Sequence, residues 1–176
     1  MRDFAVLTVY RPASSYGPQD KEPPMPMPWT YRHASKEWRA ILDDLKERMG
    51  LVSDNTAYTA LDGVLQVFRC RLTAQQGLDF ATVLPSIPRA IFVAGWQIAD
   101  QPLPFGDRTA LTRDVKAVRQ NHNLTPDNAI EAVASTLRRY PDKADLERVL
   151  PRLPEGAVQF WYVDVADPRE IEPRIF

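Results

Sequence analysis

From Ser35 onward the apolar residues of this chain recur at helical spacing. Trp38, Ile41, Leu42 and Leu45 fall at i, i+3, i+4 and i+7, with Ser35 placed to cap the start and Gly50 the stop. A second helix is predicted from about Asp54 to Leu72, with Tyr58, Leu61, Val64, Leu65 and Phe68 on one face. Thr73-Ala-Gln-Gln76 fits a capping box and opens a third helix that must end near Pro85, because proline cannot continue a helical ladder. Pro88 suits the first turn of a fourth helix, which Gly95 and Trp96 close, and Gln97 to Gly106 reads as a loop containing Pro102 and Pro104.

The same order then returns. Leu111, Val115 and Val118 form a fifth helix at the spacing of Trp38, Leu42 and Leu45. Thr125 and Pro126 start a sixth with the stripe Ile130, Val133, Ala134 and Leu137. Asp142 can cap a seventh through Leu150, and Pro154 opens an eighth toward Trp161. Two phrases are said twice. Val83-Leu84-Pro85-Ser86-Ile87-Pro88 is echoed by Val149-Leu150-Pro151-Arg152-Leu153-Pro154, and Leu51-Val52-Ser53-Asp54-Asn55 by Leu124-Thr125-Pro126-Asp127-Asn128. Self-similarity of this length marks a duplicated supersecondary unit. The expected fold is therefore all-α, a pseudo-two-fold bundle of two four-helix repeats, about eight helices, with repeat one at 34–96 and repeat two at 107–161.

Outside this bundle, helical periodicity lapses. Residues 1–28 read as an extended arm and proline-rich linker: six of the 16 prolines (Pro12, Pro18, Pro23, Pro24, Pro26 and Pro28) fall there. The run from Phe4 to Tyr10 suits a short strand or an extended arm equally. Residues 162–176 form a polar tail. Phe4, Val6, Leu7, Val9 and Tyr10 at one end, and Ile171, Ile175 and Phe176 at the other, concentrate apolar area where no helical partner pattern exists. An isolated strand is unstable in water, so these residues are expected to lie on the bundle, pair with each other, or dock on another chain. They are the candidate partner contacts.

Composition narrows the classes. With 22 basic and 23 acidic residues in 176, the chain has a formal charge of -1 and no whole-molecule field for nucleic acid or anionic lipid. A single cysteine, Cys70, excludes an internal disulfide framework and a cysteine-built zinc site. Of the two histidines, His33 and His122, neither has a glutamate three residues before it, so the helical Glu-x-x-His metal pairs are missing and no metal or cofactor is expected. No apolar run approaches the roughly 20 residues that span a bilayer. The apolar opening is short, follows Asp3 and lacks a clear cleavage site, so no signal peptide is expected and the cytoplasm is the default location.

Each candidate chemical group has a simpler packing role. Trp96 and Trp161, repeated at equivalent places, read as buried knobs locking their halves rather than as one ligand site. Cys70 reads as an inert, largely buried thiol, since its neighbours Arg69 and Arg71 point elsewhere on a helix. His122 suits a helix C-terminus, where it meets free carbonyls, and His33 an exposed helix start. Arg113, Lys116 and Arg119, Arg138 and Arg139, and the acidic Asp43, Asp44 and Glu47, read as solvated faces or as charges holding the halves together. No aromatic residues interleave with the arginines, and no phosphate cradle or nucleophile elbow occurs.

The long helix ending in Phe68-Arg69-Cys70-Arg71-Leu72, the Leu84-Pro85 phrase, the Gly95-Trp96 ending and the second copy closing in Trp161 together resemble a bacterial family, domain of unknown function 2267. The resemblance covers about residues 29–161. It implies an all-α fold and a prokaryotic source, and supplies no catalytic residue. The expected function is a non-catalytic cytoplasmic helical interaction module that binds another protein or itself. The alternative is a small-molecule-binding protein or enzyme using a pocket between the repeats, with Asp, Glu or Arg side chains acting. A third is DNA binding through the basic fifth helix, although the charge balance makes nucleic acid the weaker choice.

Overall fold

The structure is a computed structural model that describes residues 27–119, 124–140, 143–164 and 172, without the side chains of residues 143 and 144. Among these residues it is all helical, with nine helices and no strand. Before the central loop come α1 (Trp29–Arg32), α2 (Ala34–Met49), α3 (Asp54–Arg69), α4 (Ala74–Thr82) and α5 (Ser86–Val93). After it come α6 (Arg108–Ala117), α7 (Ala129–Arg138), α8 (Lys143–Val149), a 3-10 turn (Leu150–Arg152) and α9 (Ala157–Phe160). Two expected elements or caps, those at Phe4–Tyr10 and at Asp142, lie outside the described residues, as does His122.

The predicted starts and stops hold where side chains make the cap. Thr73 is extended, its hydroxyl accepts from the Gln76 amide, and the Gln76 side chain accepts from the Thr73 amide, closing the expected box. Pro88 lies in the first turn of α5, and α2 stops at Gly50. Where the start depends on backbone alone, boundaries move. Ser35 caps nothing: α2 is already helical at Ala34, because the extra turn α1 delivers the chain in register and the His33 carbonyl accepts from Glu37. His33 is half-buried rather than exposed, its ring stacked 3.6 Å from that of Trp29. Pro126 begins a turn, with the Ala129 amide bonded to its carbonyl, and α7 starts three residues later than expected.

The centre of the molecule is α3. It packs on α2, α5, α6 and α7, so nearly every side is covered, and Ala57, Ala60, Leu61, Val64 and Phe68 are wholly buried. On a helix with neighbours all round, small residues set the spacing and the large ones fill the gaps. Phe68, near its C-terminal end, touches the rings of Phe80, Phe105, Phe160 and Trp161 at centroid distances of 4.7, 5.9, 5.0 and 5.1 Å. Trp161 also stacks on Phe80 at 5.3 Å. The ring that closes the second half is thus buried inside the first.

Its counterpart is placed differently. Trp161 is 1% exposed, whereas Trp96 is only half-buried, lying across α4 at Gly77 and against Phe92. A Cβ at Gly77 would stand 2.2 Å from the Trp96 ring, so only glycine admits it there. Both rings pack as expected, Trp161 within the core and Trp96 partly buried against it. Val118, placed on the apolar stripe of the fifth helix, is 37% exposed because α6 ends before it.

Charges expected on solvated faces are also divided. Asp43 and Glu47 are exposed, but Asp44 is buried and accepts from Arg139 of α7's C-terminal end at 2.5 Å and from Arg48 at 3.4 Å. Arg138 is buried as well, and its Nη1 finds no acceptor among the described residues. Since α2 packs on α7, the Asp44–Arg139 pair sits in the contact between halves, where the low dielectric strengthens a satisfied pair.

Replacing Trp161 by Ala should cost about 3–5 kcal/mol, as for other large buried aromatics. The indole N–H of Trp161 has no acceptor among the described residues. Trp161→Phe should therefore cost less than half as much, since it leaves no polar group unpaired. Trp96→Ala should fall well below Trp161→Ala. Urea unfolding of the three variants checks this order, and equal losses at the two tryptophans would contradict the asymmetry.

Candidate interaction site

Several helices here end inside the protein, and each buried end leaves carbonyls without helical partners. Arginines supply them. Arg69 donates to the carbonyls of Phe92 and Ala94 at the end of α5, at 2.6 and 2.9 Å. Arg89 donates to Thr82 and Leu84, both at 2.9 Å, which closes α4 and holds the Leu84-Pro85 phrase. Arg71 reaches back to the Val67 carbonyl at 2.5 Å, across to Pro104 at 3.1 Å and on to Asp114 of α6 at 2.6 Å. Arg108 donates to the carbonyls of Phe160 and Tyr162, both at 3.0 Å, at the end of α9. Burial lowers the pKa of Arg69 and of Arg108 by disfavouring their charge.

Cys70 is the counterpart of this arrangement. The helix expected to run to Leu72 stops at Arg69, because Arg71 and Leu72 already bond three residues back before the extended Thr73. The flanking arginines turn inward to their carbonyls and the thiol between them turns out, so Cys70 is exposed rather than buried. It borders a cleft of about 240 Å³ with Trp96, Gln97 and Leu103.

An open cleft of about 780 Å³ lies where the loop between halves meets α6 and α9. Leu103, Phe105, Leu111 and Phe160 give it apolar walls, and Arg71 and Arg108 line it together with Asp107 and Glu155. The loop is pinned by the Leu103 amide donating to the Cys70 carbonyl at 2.9 Å. The facing turn comes close at Gly156, with φ of 94°, where a Cβ would lie 2.6 Å from that of Phe105. Only glycine permits that turn there.

Arg108 is also the shared wall of a second groove, of about 420 Å³, that follows α6 past Thr109, Thr112, Arg113 and Lys116. Lys116 pairs with Asp127, the groove's one acid. Arg113 is exposed and makes no ion pair among the described residues. An apolar cleft thus continues into a basic groove across a single arginine. The arrangement places no nucleophile beside a base, and among the described residues no three His, Cys, Asp or Glu side chains converge as a metal site would need.

A smaller pocket of about 160 Å³ joins the halves elsewhere, between Glu37, Leu84, Arg89, Tyr140 and Asp145. Burial raises the pKa of Glu37 there. The sequence-predicted contacts Phe4, Val6, Leu7, Val9, Tyr10, Ile171, Ile175 and Phe176 lie outside the described residues. Sequence reasoning missed Arg108 and Phe105. The only signal for either was an arginine with no acid at helical spacing, which does not say where its partner is.

Since the folded state of Glu37 holds its proton above pH 4.5, its favourable contribution is complete below the unfolded pKa and is lost as pH rises through the folded one. Glu37→Gln should thus stabilise the protein at neutral pH and leave it unchanged at acid pH. Denaturant melts on both sides of the transition check this, and a loss of stability at pH 7 would refute it.

No helix among the described residues is long and apolar enough to cross a membrane. No curated protein matches the chain. A family model described as "Uncharacterized conserved protein (DUF2267)" matches residues 38–160.

Proposed function

The chain belongs to the DUF2267 family of uncharacterized conserved proteins, and with no activity to inherit from it we propose that the protein is a non-catalytic helical interaction module, binding another protein or a second copy of itself. One observation carries this: the described bundle buries its own core, yet leaves an open apolar cleft bordered by a basic groove. A cleft of that kind is a surface for a chain to dock on. The arginines nearest it support the same view, since they are engaged with carbonyls that hold the fold. The partner contacts lie in the terminal segments, through Phe4, Val6, Leu7, Val9 and Tyr10 and through Ile171, Ile175 and Phe176, working in the reduced cytoplasm. The echoed Leu-Pro phrases support two halves descended from one unit.

A second reading, a small-molecule site between the halves, is favoured by the pocket that sets Glu37 and Arg89 of the first half against Asp145 of the second. Its small volume restricts it to a ligand of a few heavy atoms.

Deleting Met1–Pro26 distinguishes a docking arm from a structural cover. Loss of assembly in the native cell extract, with an unfolding temperature nearly unchanged, is the expected result. A large fall in stability in a protein that stays monomeric throughout would rule out docking by the arm.

A further inference from the structure

The groove along α6 differs from the cleft beside it in having no apolar wall. Among the described residues it is lined by Arg108, Thr109, Thr112, Arg113, Lys116 and Asp127 alone. Arg108, Thr112 and Lys116 follow one another at four-residue steps, with Thr109 and Arg113 in the adjoining row, while Leu111 and Val115 turn inward to the core. Three cations therefore share the groove with one acid. Lys116 pairs with that acid, Asp127. Arg113 is exposed and makes no ion pair among the described residues. Arg108 holds neutral groups, the carbonyls of Phe160 and Tyr162. Burial disfavours its charge more than the nearby Glu131 supports it. A guanidinium held by carbonyls and partly withdrawn from water gains most from an added anion, because each charge-assisted bond is stronger there than in bulk solvent.

We propose that this groove binds a small ligand carrying two or more phosphoryl groups, with Arg113 and Arg108 as its charged contacts and Lys116 at the far end. The site goes beyond the interaction module and does not depend on docking in the apolar cleft. From Arg108 to Lys116 the helix axis covers about 12 Å, enough for roughly two or three phosphoryl groups in file. No aromatic side chain lines the groove, so a base has nothing to stack on and phosphoryl charge is what the groove reads. The surrounding acids set the size of the ligand. Asp107 caps α6, Asp114 lies on it, and Glu131 on α7 acts on Arg108, and all three are exposed. A short anion fits among them, whereas a nucleic-acid backbone laid across this surface meets their repulsion.

The test titrates the full chain with inorganic triphosphate by calorimetry, in about 0.1 M salt without divalent cations. One saturable site is expected, half-filled below about 1 mM. Arg113→Ala should weaken it at least about tenfold, the loss expected for a bond to a charged group. Asp127 has an 87% exposed side chain, and Asp127→Asn should tighten binding about twofold to fivefold by releasing Lys116 from an exposed pair. A gain of this kind cannot come from a damaged fold. Arg108 stays in place throughout, since it closes the end of α9. Arg148→Ala removes an exposed arginine outside the groove and should change nothing. Failure to saturate, or equal losses from Arg113→Ala and Arg148→Ala, would overturn the site. So would a duplex oligonucleotide that binds more tightly than triphosphate and is lost with Arg113→Ala, which would assign the groove to nucleic acid.

Discussion

The whole arrangement depends on closing helix ends inside the protein. Apart from α2 and α3, the helices are short, and several stop against a neighbour rather than in water. A buried carbonyl without a partner costs on the order of 1–3 kcal/mol, so a bundle of such helices needs donors at its junctions. Arg69, Arg71, Arg89 and Arg108 supply them, each guanidinium reaching carbonyls at the end of a helix or in the turn beyond it. The guanidinium fork suits this because it donates in several directions at once and keeps its charge near the negative end of the helix dipole.

That solution also shapes the surface. Arg71 ties α3 to the loop between halves and to α6, and Arg108 ties α6 to the end of α9. Between these two bolts the loop and the Gly156 turn cannot close completely over Phe105, Leu111 and Phe160, and the cleft is what remains. Its rigidity comes from the same bonds that hold the halves. The Phe68 cluster lies directly beneath, so the cleft's inner wall, Phe105 and Phe160, is also core. If the proposed docking is right, a cleft held this way is preorganised, which lowers the ordering cost of binding.

Cys70 and Asp44 show how the two kinds of residue exchanged places relative to a simple hydrophobic count. A thiol expected inside is outside, because the arginines on either side had carbonyls to reach. An aspartate in an apparently acidic face is inside, because Arg139 arrives from the other half to meet it. Neither outcome is a matter of the residue's own polarity. Each is decided by a partner elsewhere in the chain.

The local grammar of this chain was legible from residues alone: the helical stripes of α2, α3 and α7, the Thr73 capping box, the stops at Gly50 and Pro85, and the family that the Leu-Pro phrase and terminal tryptophans resemble. These are short-range effects, decided by backbone dihedrals and side chains within a turn of one another, so sequence spacing encodes them directly. Tertiary structure alone decided that Trp161 is core while Trp96 is only half-covered, that α1 starts the bundle and α7 begins late, and that Arg71 and Arg108 flank a cleft. Those depend on which carbonyls and rings meet across roughly 30 to 100 residues of intervening chain, a relation that periodicity along the sequence does not carry.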